Sequence, residues 1–190
     1  MTADDDMRAV NPARGSINPN TRNNCGYCTL AYDLRRRGFD VTAKKTTEAT
    51  DGLEFYKKYY KDAKVNEIEV SGHDDLMTYI KKSPVNLVNA PTYHPIEFRR
   101  YQKDLMNKLE EKLSKQPDGA RGYIGVSWKG SMSGHSMAYE ISEGKVYIVD
   151  SQIAKRKPLR SIEKMISVAH YARLDNTIPN YEEIKKDGIA

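Results

Sequence analysis

Between residues 123 and 150 the chain carries three consecutive β-type segments, and these limit the folds that are open to it. The segments are YIGVSW (123–128), SMAYEI (136–141) and KVYIVD (145–150), each rich in β-branched or aromatic residues. The stretches that join them, KGSMSGH and SEGK, are short and contain glycine. Connections of this length return the chain antiparallel to the preceding strand. We therefore predict an antiparallel meander in the second half of the chain.

Helical patterns dominate the sequence before this meander. Apolar residues recur every three or four positions after Asn24, and again through HPIEFRRYQKDLMNKLEEKLSKQ, where Glu and Lys cover the opposite face. We also predict helices at about 49–62, 72–83 and 158–169, short strands at 39–43, 65–70 and 171–175, and a loop at 84–93. Helices that precede an antiparallel sheet are typical of the α+β class. That class is our prediction for the fold.

The length and composition fit one domain. With 190 residues, 38% hydrophobic and 30% charged, the chain can bury a core and keep a well-solvated surface. Because Asn-Pro dipeptides break the first stretch, we predict a flexible lead-in over 1–22, a domain over 23–176 and a polar tail over 177–190. The acidic N-terminus has no signal-peptide pattern, and no apolar run approaches the roughly 20 residues of a membrane helix.

The net charge of +5 raises the question of nucleic acid as a partner. Lys and Arg cluster in several runs, such as IAKRKPLR, but most of these runs are interleaved with Asp and Glu. No nucleic-acid-binding motif accompanies them. We therefore expect a monomer with a solvated basic surface, and neither nucleic acid nor a membrane as its partner.

The two cysteines, Cys25 and Cys28, open the first helical pattern, in NNCGYCTLAYDLRRRG. A zinc site would need a second pair of ligands, whereas the four histidines are isolated from one another. A thioredoxin-like pair would follow a strand, and this pair follows a loop. Two structural thiols are a further alternative. A thiol in the first helical turn, however, meets the helix dipole and unpaired N–H groups, which stabilise a thiolate nucleophile.

A thiolate nucleophile needs a histidine base and a group that orients it. His135 opens one predicted strand of the meander, and Asp150 closes the next. The start of one antiparallel strand lies beside the end of its neighbour, so the imidazole and the carboxylate are predicted to be close. The other three histidines have no carboxylate placed by such a hairpin.

Two stretches, NNCGYCTLAYDLRRRGFDVTA (23–43) and GHSMAYEISEGKVYIVDSQ (134–152), together resemble the papain-fold toxin domains of bacterial polymorphic toxins and phage minor head proteins. The resemblance implies a papain-like fold in which the nucleophile helix packs on an antiparallel sheet that carries the His and the Asp. It implies a Cys–His–Asp triad, which requires neither metal nor cofactor. The activity it implies is deamidation of protein glutamines, with peptidases among the relatives.

Position by position, the resemblance assigns the nucleophile to Cys25, the base to His135 and the orienting acid to Asp150. Gln152 matches a recurring Gln after the Asp. Asn24, just before the nucleophile, is a candidate for the oxyanion site or its support. Around the His, we expect three residues to border the substrate cleft: Trp128, Ser133 and Gly134.

The choice of nucleophile has an alternative. CGYC also superimposes on the CGSC of papain-type proteases, in which the second cysteine reacts, and this would select Cys28. We favour Cys25 because Cys28 lies one helical turn before Ala31 and so falls close to the inward apolar stripe. The chain lacks papain's aromatic residue directly after the cysteine.

These observations predict a cysteine hydrolase that acts on amides of a target protein, most simply a toxin or effector that deamidates glutamine. A papain-like cysteine protease toxin is the alternative, because both reactions use the same catalytic groups. A non-catalytic phage head or interaction domain is the alternative from another class. A deamidase toxin would act in a cytoplasm, after delivery into a target cell or as part of a phage particle, and could have a cognate immunity protein.

Overall fold

A computed structural model describes residues 2–12, 14, 23–46 and 52–189 of the chain. Its helices are α1 (Ala3–Val10), α2 (Cys25–Arg36), α3 (Gly52–Tyr59), α4 (Asp74–Lys81), α5 (Pro84–Tyr93), α6 (Pro95–Ser114) and α7 (Tyr181–Lys186). Its strands are β1 (Asn66–Glu67), β2 (Arg121–Trp128), β3 (Gly134–Ser142), β4 (Lys145–Asp150), β5 (Lys155–Pro158) and β6 (Ile166–Arg173), and a 3-10 helix spans Leu159–Met165.

The strands form one sheet in the order β1-β6-β2-β3-β4-β5, and every neighbouring pair is antiparallel. The predicted meander is β2-β3-β4, at the centre of this sheet. The helices lie on both of its faces, as the two core clusters below show. The α+β prediction is confirmed.

Side chains alternate between the two faces of the central strands, and each face buries a separate core. Ile124 and Ile148 pack with the apolar stripe of α6, which includes Leu105 and Leu109. Tyr123, Ala138 and Val149 face the other way and pack with Leu30 and Leu34 of α2. The sheet is therefore covered by α6 on one face and by α2 on the other.

Both ends of the chain join the α2-side core, which corrects the expected flexible lead-in and polar tail. Thr2 caps α1 through a reciprocal capping box with Asp5, and Met7 and Val10 of that helix are buried. In the tail, Ile184 and Ile189 are buried in the same cluster. The prediction of a flexible segment is therefore wrong for α1, and most of it from residue 15 to 22 lies outside the described residues.

Other local predictions also differ from the structure. The loop expected at 84–93 is α5, which begins at Pro84 after a Ser83 cap and tolerates Pro91 in its last turn. The helix expected at 158–169 is a 3-10 helix followed by the first half of β6. The strand expected at 39–43 is irregular, with no strand partner in the described part of the sheet.

Candidate active site

The strand register brings His135 and Asp150 together. Ala138 pairs with Val149, so an extension of the register by one step places Asp150 opposite Met137. His135 lies two residues nearer the sheet edge on the same face, which makes it the diagonal neighbour of the carboxylate. His135 Nε2 and Asp150 Oδ2 are 2.8 Å apart, and both side chains are largely buried.

Trp128 covers the other side of the imidazole. Val126 of β2 pairs with His135, and Trp128 follows two residues later, with its backbone N–H bonded to the Ser133 carbonyl at 3.0 Å. The indole and imidazole rings are stacked, with centroids 5.7 Å apart and an interplanar angle of 26°. His135 is therefore enclosed between an aromatic ring and a carboxylate, which limits the water that reaches its hydrogen bond.

Cys25 is the first residue of α2, and its partly exposed side chain lies near enough to His135 for the two groups to shift each other's pKa. Burial acts to raise the pKa of this thiol. The imidazole of His135, together with the backbone N–H groups of Ser136 and Gly26, lowers it by more. The net result is a lowered pKa for Cys25, as expected for a thiolate beside a helix N-terminus.

The pKa of the His135 imidazole shifts in the opposite direction, upward. Burial alone would lower the pKa of His135, but the hydrogen bonds and charges of Asp150 and Cys25 raise it well above the usual histidine range. Because Nε2 is bonded to Asp150, Nδ1 is the ring nitrogen that remains for the thiol. The two groups thus favour a thiolate–imidazolium pair, which titrates as a unit.

Cys28 has a different environment from its neighbour. Its side chain is only 1% exposed and belongs to the α2-side core. Burial, and then the negative charges of Cys25 and Asp150, raise the pKa of the Cys28 thiol. Its backbone carbonyl accepts a hydrogen bond from Ser151 Oγ at 3.0 Å, which attaches the turn after β4 to α2. The geometry and the pKa shifts therefore favour Cys25 as the reactive thiol.

Three amide side chains connect the end of α1, the start of α2 and the turn that follows β4. Gln152 Nε2 donates to Asn24 Oδ1 at 3.1 Å, and Asn24 Nδ2 donates to the Lys44 carbonyl at 3.3 Å. Asn11, which follows α1, donates to the backbone carbonyl of Gln152 at 3.0 Å. Asn24 is completely buried, and its amide is engaged within the protein. This arrangement fits Asn24 and Gln152 for support of the α2 N-terminus rather than direct contact with substrate.

The loop before β3 forms one border of the site. Ser133 and Gly134 are exposed, and the Ser131 and Ser133 hydroxyls are 2.8 Å apart. A Cβ atom at Gly134 would lie 2.7 Å from the Val126 carbonyl oxygen, so only glycine fits there. The close approach of β3 to β2 that Gly134 allows carries the next residue, His135, into position.

The structure also contains a histidine–carboxylate pair that the sequence reasoning missed. His73 Nε2 lies 3.0 Å from Asp104 Oδ2, and the ring packs edge-on against Tyr101. His73 directly precedes α4 and Asp104 lies in α6, so a hairpin pattern in the sequence could not predict their contact. This pair is on another part of the fold and has no cysteine beside it among the contacts described.

Within the described residues, His, Cys, Asp and Glu side chains do not gather in groups of three or more that could hold a metal ion. Among the same residues, no helix is both long and apolar enough to cross a membrane.

Comparison with known families gives one match. The family described as "Papain fold toxin 1, glutamine deamidase" matches residues 23–155, which is more than half of the chain and includes the Cys25, His135 and Asp150 positions. Searches of curated proteins and of solved structures each gave no significant match. The family match agrees with the α+β architecture, and the chain is therefore a member of the papain-fold toxin 1, glutamine deamidase family.

Proposed function

We propose that this protein converts the side-chain amide of a glutamine in a target protein to a carboxylate, with Cys25 as the nucleophile. The observation that carries the proposal is the His135–Asp150 pair, 2.8 Å apart, beside the Cys25 thiol whose pKa His135 lowers. Membership of a glutamine deamidase family supports the choice of reaction.

In the first half of the reaction, the Cys25 thiolate attacks the amide carbon and forms a tetrahedral oxyanion. The imidazolium of His135 then gives its proton to the amide nitrogen as the C–N bond breaks, which releases ammonia and leaves a thioester. In the second half, neutral His135 takes a proton from water, and the resulting hydroxide attacks the thioester. Collapse of the second oxyanion releases glutamate and restores the thiolate.

The surrounding groups have supporting roles. The first-turn N–H groups of α2 have no intrahelical partners and lie beside the sulfur, where the oxyanion forms. Asp150 holds the imidazole through Nε2 so that Nδ1 faces the thiol, and Trp128 shields that hydrogen bond from water. Asn24 and Gln152 fix the helix N-terminus against the turn that follows Asp150.

The protease alternative uses the same groups, because the two reactions differ in which amide carbon reaches the sulfur. A glutamine side chain presents its amide on a flexible stem, whereas a protease must seat the backbone on both sides of the bond. The family favours the side-chain reaction. Because the family is one of toxins, we place the action on a protein in the cytoplasm of a target cell, where a free thiol stays reduced.

The test is the intact mass of candidate target proteins after incubation with the enzyme, combined with ammonia detection. Deamidation adds about 1 Da per site by the replacement of NH2 with OH, and releases one ammonia. The Cys25→Ala variant is the matched control, since Cys28 remains. Fragments in place of the mass gain would identify a protease. If modification by the Cys25→Ala variant equals that by the wild type, the proposed mechanism is wrong.

A further inference from the structure

The edge of the sheet that carries His135 and Asp150 is formed by particular strand ends. The antiparallel register places the ends of β2 and β4 and the starts of β3, β5 and β6 at this edge. Two loops therefore border the site: residues 129–133, which lead into β3, and residues 151–154, which follow β4. The end of the 3-10 helix also reaches this edge, because Lys129 N–H donates to the Met165 carbonyl at 2.7 Å.

These border segments carry large apolar side chains that are exposed to solvent. Met132 is 72% exposed in the first loop, Ile153 is 48% exposed in the second, and Met165 is 51% exposed beside Lys129. Met132 lies three residues before His135 and Ile153 three residues after Asp150, while Met165 precedes β6 and its carbonyl accepts from the N–H of Lys129, the residue after Trp128. Exposed apolar side chains concentrated around a reactive group mark a contact surface for a partner.

The charges of the same segments have one sign. Lys129 opens the first loop and Lys155 follows the second, and both are exposed. Neither KGSMS (129–133) nor SQIAK (151–155) contains an acidic residue. Loops at the opposite edge of the sheet carry both signs, since Glu143 lies beside Lys145 and Asp175 pairs with Arg173 at 2.8 Å. The two loops beside His135 and Asp150 differ in that they present lysines and no carboxylate of their own to a partner.

We propose that this border, defined as Lys129, Met132, Ile153, Lys155 and Met165, selects glutamines that lie in an acidic and apolar segment of the target protein. The inference rests on the proposed function. Apolar residues beside the glutamine pack on Met132 and Ile153, while carboxylates one or two residues further out meet the two lysines. Such a border would restrict a generic nucleophile to a small fraction of the glutamines that a cell contains.

The test compares three peptides of equal length with one central glutamine. One has leucines next to the glutamine and aspartates beyond them; the second replaces the aspartates with lysines; the third replaces the leucines with serines. Binding is measured with the Cys25→Ala protein, and turnover by ammonia release is measured with the wild type. We expect the acidic and apolar peptide to bind roughly tenfold more tightly than the lysine peptide, since exposed ion pairs contribute modestly.

Variants assign the preference to named residues. The double variant Lys129→Glu/Lys155→Glu should remove or reverse the charge preference, and Met132→Ser/Ile153→Ser should remove the preference for leucine. Ile178→Ser and Lys185→Glu are matched controls, because Ile178 is 76% exposed and both residues follow β6 at the other end of that strand. Both controls should leave the preferences unchanged. The charge preference should also weaken at about 0.5 M salt, where exposed charges are screened.

The outcomes separate this inference from the proposed function. Equal binding of all three peptides, or equal effects of the border and control variants, would overturn the inference even if glutamine is deamidated. A clear binding preference with no ammonia from any peptide or target protein would support the surface and refute the deamidase reaction. Preference and turnover together support both.

Discussion

At the scale of single residues, Cys25 and Cys28 show how position on one helix gives two thiols opposite pKa shifts. Both belong to the first turns of α2, yet only the first meets an imidazole and unpaired N–H groups. The second points into the core, where burial keeps its thiol protonated. Their opposite pKa shifts follow from less than one turn of helix.

This contrast predicts different effects for substitutions of the buried cysteine. Cys28→Ser should lower the free energy of unfolding by about 1–3 kcal/mol, because it places a hydroxyl in an apolar core. Alkylation of Cys25 should nevertheless continue at the wild-type rate below the unfolding temperature. Denaturant titration and peptide mass mapping measure the two effects. Loss of activity in a folded Cys28→Ala protein would instead identify Cys28 as the nucleophile.

At the scale of elements, the active site depends on a helix outside the matched family region. Asn11, after α1, donates to the carbonyl of Gln152 in the turn that follows Asp150. Asn11 is itself buried, so the bond is protected from water. Asn11, more than ten residues before Cys25, thus holds the turn after β4, from which Gln152 donates to Asn24.

Asn11→Leu keeps the approximate shape of the side chain but removes the amide N–H that donates to the Gln152 carbonyl. We expect a loss of about 1–3 kcal/mol in unfolding free energy, together with slower turnover because the turn after β4 loosens. Asn66→Leu is the matched control, since Asn66 also donates to a carbonyl, that of Lys64, but from an exposed position. Equal losses in the two variants would show that Asn11 has no special role.

The elements that the sequence predicted well are those whose pattern is local. The long stripe of α6 and the alternation in β2, β3 and β4 are visible in short windows, and the hairpin alone places His135 beside Asp150. The contact between Asn11 and Gln152 joins residues 141 positions apart, and no local pattern encodes it. The stacking of Trp128 on His135 depends likewise on the register of two strands, which the sequence leaves open.

Two helices that we did not predict, α1 and α5, begin with recognisable N-terminal sequence motifs. Thr2 and Asp5 form the capping box that starts α1, and Ser83 with Pro84 is a standard helix start. The Asn-Pro dipeptides outweighed the first of these signals in our prediction. In the segment 158–169, apolar spacing resembled a helix, but pairing of Ile166 and its successors with β2 determined the outcome. Tertiary contacts there override the local preference.

At the scale of the whole molecule, the sheet is the layer that both cores share. The α6-side and α2-side clusters pack on its opposite faces, and α1 and α7 complete the second of them. The proposed nucleophile comes from a helix of the α2-side core, while its proposed base and acid come from the sheet. The relative position of the thiol and imidazole therefore depends on the integrity of the α2-side core.

Substitutions in the C-terminal segment test whether α7 is part of the α2-side core. Ile184→Ala should lower the free energy of unfolding by about 2–5 kcal/mol, as expected for a buried isoleucine whose loss leaves a cavity. Ile178→Ala, six positions earlier and 76% exposed, should change it by less than about 0.5 kcal/mol. Thermal or denaturant unfolding measures both. If the two substitutions have equal effects, α7 is not part of the core.

The central claim is that His135 and Asp150 hold Cys25 as a thiolate. The direct measurement is the rate at which iodoacetamide alkylates each cysteine between about pH 5 and pH 9, located by peptide mass. Because the pKa of Cys25 is lowered and that of His135 is raised, the thiolate of Cys25 should persist to a lower pH than an ordinary thiolate does. His135→Ala should move the midpoint up to the ordinary thiol value of about 8.5 or above it, because the burial that raises the pKa remains, and Asp150→Asn should move it part of the way. A wild-type midpoint near 8.5 that neither substitution shifts would contradict the account.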